Sequence, residues 1–231
     1  MANSHNSTLN VLSPEAAYDL ASVSYDTWNW QAFWRTFEYP IVRRFVESSS
    51  RTRSGGASLL DLGCGTGWYL ERLEDLCVDR RGIDISRGML TIASKRLKNV
   101  LLTHSDLMEV KLIKDRYDVV LCTRVLSHIR DAKLFFEKTS DCMTNSGTLI
   151  ISDIDPTHNY LATKLPALQS SIYAKTFKRD RDEIIRIAEA SNLMLVNQYV
   201  IGLDGQIQEV VRGRDFNRLV DLVGWISIWK K

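Results

Sequence analysis

The segment Leu59-Leu60-Asp61-Leu62-Gly63-Cys64-Gly65-Thr66-Gly67 constrains the fold more than any other part of this chain. An apolar run of strand length breaks into alternating glycines, and Tyr69, Leu70 and Leu73 follow at helical spacing. Glycine lacks a Cβ and tolerates positive φ, so a strand, glycine turn and helix in this order let backbone approach a ligand closely. A second strand, residues 81–85, carries Asp84 at its end, 23 positions after Asp61. A carboxylate there can accept two hydrogen bonds from the vicinal hydroxyls of a ribose. The pair indicates an adenine-containing cofactor.

The rest of the chain agrees with an α/β layout. Helical spacing over residues 89–97, a strand at 100–103, a strand at 117–122, a helix carrying Leu134, Phe135 and Phe136, and a strand at 148–151 follow in turn. Strands alternating with helices predict a parallel, doubly wound sheet. After a charged helix over 182–190, strands beginning at Met194 and over 225–229 predict an antiparallel edge. Before the glycine turn lies a helical arm. Ser13-Pro14-Glu15 reads as a capped helix start. Phe33, Phe37, Ile41 and Phe45 recur on one face, and Pro40 kinks or restarts that helix. The Ser/Arg/Gly stretch 48–56 separates an arm, 1–54, from a core, 55–231. The connection from Asp155 onward is long for a plain loop and predicts a cap insertion around 155–178.

A dinucleotide fingerprint needs a third small residue where this chain has Trp68. The acid Asp61 before the glycines also suits a cationic amino-acid group better than a pyrophosphate. Both points favour S-adenosylmethionine over NAD. With DLGCGTG, then GIDIS, SDL and YDVVLCTRVLSHI, the chain resembles the class I (Rossmann-like) S-adenosylmethionine-dependent methyltransferases, closely over residues 58–153. The resemblance implies a seven-stranded, mostly parallel sheet with an antiparallel C-terminal strand. It implies methyl transfer from S-adenosylmethionine, giving S-adenosylhomocysteine, by in-line displacement onto a small-molecule acceptor. Gly63, Cys64 and Gly65 would lie under the methionine and ribose, and Asp61 would bind the methionine amino group. Asp84 would take the ribose hydroxyls, with Ile85 against the adenine and Met89 among the cofactor contacts. Ser105, Asp106 and Leu107 would read the adenine edge, and backbone at Cys122 and Thr123 would hold the amino group. Tyr25-Asp26 would close over the cofactor, with Tyr18 and Trp34 behind it.

His128, near the end of a core strand, reads either as a general base toward the acceptor or as a residue that packs at a helix start. His104 reads as a loop residue, and Asp84 doubles as a cap for the helix at Ser86. The aromatic stretch Trp28, Trp30, Phe33 and Trp34 reads either as helix packing or as the wall of a pocket for a flat acceptor.

Composition narrows the alternatives. A formal net charge of +2 over 231 residues gives no basic footprint for nucleic acid or membrane. Thr123-Arg124-Val125-Leu126 stands where amino-methylating enzymes of nucleic acids often carry Asn/Asp-Pro-Pro-aromatic. Cys64, Cys77, Cys122 and Cys142 form no CxxC pair, which predicts free thiols and no metal site. The polar start of the chain lacks a signal-peptide apolar run, so a cytoplasmic monomer or homodimer is expected. A methyltransferase of nucleic acid or protein, a nicotinamide oxidoreductase and a non-catalytic cofactor-binding protein remain the alternatives.

Overall fold

Strands covered by helices on both faces must be apolar at nearly every position, and this requirement sets the architecture. The structure is a computed structural model that describes residues 10–53, 55–158, 162–166, 171–210 and 221–231. Parts of the expected arm (1–9 and 54) and of the expected insertion (159–161 and 167–170) lie outside the described residues. The N-terminal elements are β1 (Val11–Leu12), α1 (Pro14–Tyr25), α2 (Asn29–Phe37) and α3 (Tyr39–Arg51). The core continues through β2 (Ala57–Leu62), α4 (Trp68–Arg72), β3 (Cys77–Asp84), α5 (Arg87–Arg96), β4 (Leu101–His104), β5 (Tyr117–Thr123), α6 (Ala132–Cys142) and β6 (Met143–Ile154). Then come β7 (Thr163–Leu165), β8 (Ile172–Ala174), α7 (Arg181–Ala190), β9 (Met194–Gly202), β10 (Ile207–Glu209) and β11 (Leu222–Lys230).

The main sheet has the order β10-β9-β11-β6-β5-β2-β3-β4. β6, β5, β2, β3 and β4 run parallel. The chain winds outward from β2 through β3 to β4, then returns to β5 and continues the other way. The crevice at the carboxyl ends of β2 and β5 is therefore the switch point where open α/β sheets bind ligands. The side chains alternate across the sheet. Leu60, Leu62, Val120 and Cys122 pack beneath Phe135 and Phe136 of α6. Leu59, Val119 and Leu121 pack against Val42 and Val46 of α3 and Leu70 of α4. Each fully buried Leu or Phe contributes about 1.5–3 kcal/mol.

The main sheet departs from expectation in one place. Among the described residues it has eight strands rather than seven, because the three-residue β10 pairs antiparallel with β9 after a turn through Gly205 at φ +81°. So short and polar a strand carries no periodic signal. The late strands form the expected antiparallel side of the sheet, with β11 between β6 and β9 and antiparallel to both. Its residues 225–229 are buried on both faces, as an interior position requires.

The arm and the insertion meet in a second, three-stranded sheet, β1-β8-β7. Ala17 and Ala21 of α1 pack there on Leu165, Ile172 and Ala174. Ser13 caps α1 by accepting from the Ala16 amide. Pro40 restarts the chain as α3, in whose first turn it sits. The helix after Asp84 is capped by Ser86, whose Oγ accepts from the Met89 amide; Asp84 instead closes a turn onto the Ser86 amide. His104 ends β4 and bonds the Ile85 carbonyl, so it belongs to a strand and not to a loop.

Candidate active site

The turn after β2 is held open for a ligand by its own backbone chemistry. The amides of Gly63 and Cys64 both donate to the Ile83 carbonyl, at 2.7 and 3.0 Å, which pins the loop to β3. Gly63, Gly65 and Gly67 all have positive φ. A Cβ at Gly63 would lie 2.3 Å from the Val125 side chain, whereas one at Gly65 would meet nothing within 4 Å. The outer face of Gly65 is thus free backbone. Its amide donates to Asp84 Oδ2 at 2.7 Å, and Asp84 Oδ1 accepts from the Ser86 amide at 2.8 Å. Each carboxylate oxygen keeps a lone pair for a further donor.

A cavity of about 250 Å³ opens in front of this loop. Tyr25, Gly63, Gly65, Asp84, Ile85, Met89, Asp106, Leu107 and Thr123, all singled out in the sequence, line it together. Asp106 Oδ1 accepts from the Met108 amide at 2.7 Å, which fixes the carboxylate at the cavity rim. Asp61, Cys64, Ser105 and Cys122 do not line it. Cys64 turns its sulfur toward Gly82 in the core, where a Cβ would sit 2.7 Å away. Cys122 is fully buried, and Ser105 donates back to the Asp106 carbonyl. Trp34 packs against Gly224 of β11 and lines a second cavity of about 300 Å³. Trp28, Trp30, Ser127, Asp153 and Leu165 complete much of that wall. Tyr18, Tyr25, Arg124 and His128 line both cavities and form the boundary between them.

The acids around the loop are buried and close in charge. Burial, together with the neighbouring Asp84 charge, pushes Asp61 up to about 7, and its Oδ1 has no hydrogen-bond partner. Burial raises Asp84 to about 6 against the stabilising bonds from Ser86 and Gly65. Glu38, fully buried, accepts from Arg124 Nη1 at 2.6 Å and from the Tyr69 hydroxyl. A pyrophosphate would add negative charge to this cluster, while a sulfonium and an ammonium would relieve it. The orphaned Asp61 oxygen and the open Gly65 backbone therefore fit S-adenosylmethionine.

His128 is defined on both sides. Its Nδ1–H donates to the Lys175 carbonyl at 2.7 Å, which leaves Nε2 to accept from the Tyr18 hydroxyl at 2.9 Å. Burial lowers its pKa, and the nearby buried Asp153 opposes that shift. Asp153 accepts from the Ser127 amide, the Ser127 hydroxyl and the Ile154 amide.

The arm is tied down by carboxylates that local sequence patterns do not reveal. Asp26 accepts from Arg35 at 2.6 Å, Arg96 at 2.6 Å and the Thr66 hydroxyl at 2.9 Å. Asp19 of α1 accepts from the Ser86 hydroxyl and the Gly88 amide at the start of α5. Arg124, at φ +58°, stands in a conformation that non-glycine residues rarely adopt. Its position directly after Thr123 was the only sequence clue to its role. Among the described residues no cluster of metal-ligating groups occurs, the four cysteines are free and buried, and no helix is long and apolar enough to cross a membrane.

Comparison with known proteins bears on the fold and the family likeness. Residues 60–151 match the family model described as a methyltransferase domain. A ubiquinone biosynthesis O-methyltransferase from Azorhizobium caulinodans is 28% identical over 122 residues, 51% of this chain and 48% of that protein. The chain thus spans about half the length of that curated relative. Among solved structures, an S-adenosylmethionine-dependent methyltransferase from Mesorhizobium loti superposes with a TM-score of 0.62 at 16% identity, covering 84% of this chain and 97% of that one. A DhpI–SAH complex superposes with a TM-score of 0.60 at 18% identity, covering 92% and 93%. At these identities the two structures bear on the fold alone.

Proposed function

We propose that this chain, whose residues 60–151 match the methyltransferase-domain family model, is a class I S-adenosylmethionine-dependent methyltransferase that transfers the methyl group to a small, flat, largely apolar acceptor seated in the second cavity. One observation carries the reading: the cofactor-type cavity and the tryptophan-lined cavity share the wall formed by Tyr18, Tyr25, Arg124 and His128. A methyl group presented at that boundary meets an acceptor held against Trp28, Trp30 and Trp34. When bound, S-adenosylmethionine supplies an activated methyl group whose bonding electron pair returns to sulfur as the acceptor attacks. The protein's task is then to align the acceptor and exclude water.

Asp61 would hold the amino group, Asp84 the ribose hydroxyls, and Asp106 the adenine edge. Tyr18 and His128 suit an acceptor that must lose a proton, such as a phenol or another hydroxyl. The acceptor proton would pass to the Tyr18 oxygen as the Tyr18 proton passes to His128 Nε2. The Lys175 carbonyl fixes the ring in the tautomer that can receive it, and buried Asp153 stabilises the resulting imidazolium. The name of the O-methyltransferase relative supports an oxygen acceptor. The arm would serve as lid over the core, and the cap strands β7 and β8 would complete the acceptor chamber.

Calorimetric titration with S-adenosylmethionine, S-adenosylhomocysteine and NAD tests the reading. Micromolar binding of the first two and none of NAD is expected, lost in Asp84→Ala. Binding of NAD alone, or of none of the three, overturns it. With the cofactor established, a screen of hydroxyl-bearing aromatic acceptors follows, in which Tyr18→Phe and His128→Gln should lower kcat at least tenfold and leave S-adenosylhomocysteine binding unchanged.

A further inference from the structure

The two-residue strand β1 lies parallel to β8 of the insertion, Val11 opposite Tyr173 and Leu12 opposite Ala174. The pairing ends at Lys175. Its amide donates to the Leu12 carbonyl at 2.9 Å, and its own carbonyl accepts from His128 Nδ1 at 2.7 Å. One residue thus has its N–H held by the arm and its C=O held by the imidazole. Two positions on, the Phe177 amide donates to the Ser127 carbonyl at 2.7 Å and keeps this segment beside His128.

The path closes on itself. Ser13 follows Leu12 and caps α1, and Tyr18 of that helix places its hydroxyl 2.9 Å from His128 Nε2. Both ring nitrogens therefore have partners that depend on the arm: Nε2 through α1 directly, Nδ1 through the residue that β1 grips. So short a strand contributes little stability alone. The fully buried Ala17 and Ala21 hold it in place by letting α1 settle closely on Leu165, Ile172 and Ala174. The bond made by one ring nitrogen decides whether the other carries the proton. Withdrawing the arm takes Tyr18 away and frees the residue whose carbonyl makes that choice.

We propose that β1 and Lys175 are positioning elements that set His128 as a proton acceptor only while the arm is docked on the insertion. The inference rests on the functional reading above and adds its regulation. The acceptor is deprotonated only in the closed chamber, where water is excluded.

Nitrogen-15 resonances of the full chain labelled at histidine, at pH 7.5, test this, with those of His128 identified by their loss in His128→Gln. The wild type should show the proton on Nδ1 and a bare Nε2. Lys175→Pro deletes the amide that Leu12 holds and keeps the carbonyl that His128 uses; Ala174 before it is already in a strand, as a following proline requires. Ala21→Glu forces α1 off the insertion and alters none of the four bonded residues, and amide exchange over 14–25 should rise at least tenfold. In both variants the Nδ1–H form should fall from nearly all of His128 to about half or less. Lys175→Ala keeps both backbone groups and should match the wild type.

A wild-type proton on Nε2, or on both nitrogens, overturns the proposal without any variant. So does a fully retained Nδ1–H form in Lys175→Pro, or in Ala21→Glu once its arm exchanges faster. An equal shift in Lys175→Ala assigns the effect to the side chain and overturns it as well. Should Ala21→Glu fail to fold, the wild type and the two Lys175 variants decide. None of these readings uses the cofactor. Failure to bind S-adenosylhomocysteine therefore removes the functional reading alone, and a wrong tautomer removes this inference alone.

Discussion

The two halves of the candidate site are built by different means. On the core side, the loop after β2 is shaped by the strand that follows it, within about 20 positions: Gly63 and Cys64 bond the end of β3, and Asp84 at that end bonds back to Gly65. On the arm side, the ties to the core are all long-range. Asp26 reaches Thr66 and Arg96, Glu38 reaches Arg124, and Asp19 reaches Ser86, across separations of 40 to 86 residues. Strand-and-turn geometry therefore fixes the loop proposed as the cofactor floor, while a few charge-assisted bonds hold the arm proposed as its lid. Such bonds are strong individually and open as a set, which is the behaviour a lid needs for ligand entry.

Paired substitutions within the floor separate its shape from its use, and here the largest effects are expected. Gly63→Ala forces a methyl against Val125 at positive φ. Overpacking and the left-handed backbone together should destabilise the chain by about 3 kcal/mol. Gly65→Ala meets no neighbour and should cost about 1 kcal/mol of stability for its φ. Its methyl nevertheless projects where the ligand approaches, so S-adenosylhomocysteine affinity should fall at least 100-fold. Thermal unfolding and calorimetry on both variants read the two quantities apart. Equal loss of stability in the two, or unchanged binding in Gly65→Ala, would mean that the open face of Gly65 is not the ligand's side.

The lid calls for a different measurement. Asp26→Ala removes three bonds at once from Arg35, Arg96 and Thr66. Amide exchange over residues 14–37 should accelerate about tenfold or more, while 57–62 and 117–123 stay protected. Cofactor affinity should fall about tenfold. Uniform acceleration across both regions would show that arm and core open as one cooperative unit and would end the distinction between floor and lid.

The same division explains what the sequence discloses. The glycine turn, Asp84 and the order of strands from β2 to β6 follow from period and turn chemistry, which a linear reading captures. β11 takes an interior place because its run from Trp225 to Trp229 is apolar on both faces, yet the choice of β6 and β9 as neighbours is a matter of packing. The resemblance places Trp34 behind Tyr25-Asp26 on the cofactor side. Its ring meets Gly224, a partner 190 positions away that only the fold reveals. The carboxylate–guanidinium pairs of the lid are equally silent, since Glu38 and Arg124 look like any other charges until the chain is folded.

The smallest expected effect lies within the floor and is read through a proton. Asp61 sits at about 7, raised by burial and by Asp84, so below that pH the free protein holds its carboxyl mostly protonated. A ligand ammonium pairs with the charged form, so binding must release that proton. Affinity for S-adenosylhomocysteine should be nearly level close to pH 7.5 and weaken as pH falls, by about tenfold per unit in the limit well below 7. Asp84, at about 6, should steepen the fall at the acid end, because its ribose bonds also favour the carboxylate. Calorimetry at pH 5.5, 6.5 and 7.5, in two buffers of different ionisation enthalpy, measures the slope and the proton count together. Asp61→Asn should flatten the profile above pH 6 and bind more weakly at pH 7.5. A wild-type profile with no proton release would place the ammonium away from Asp61.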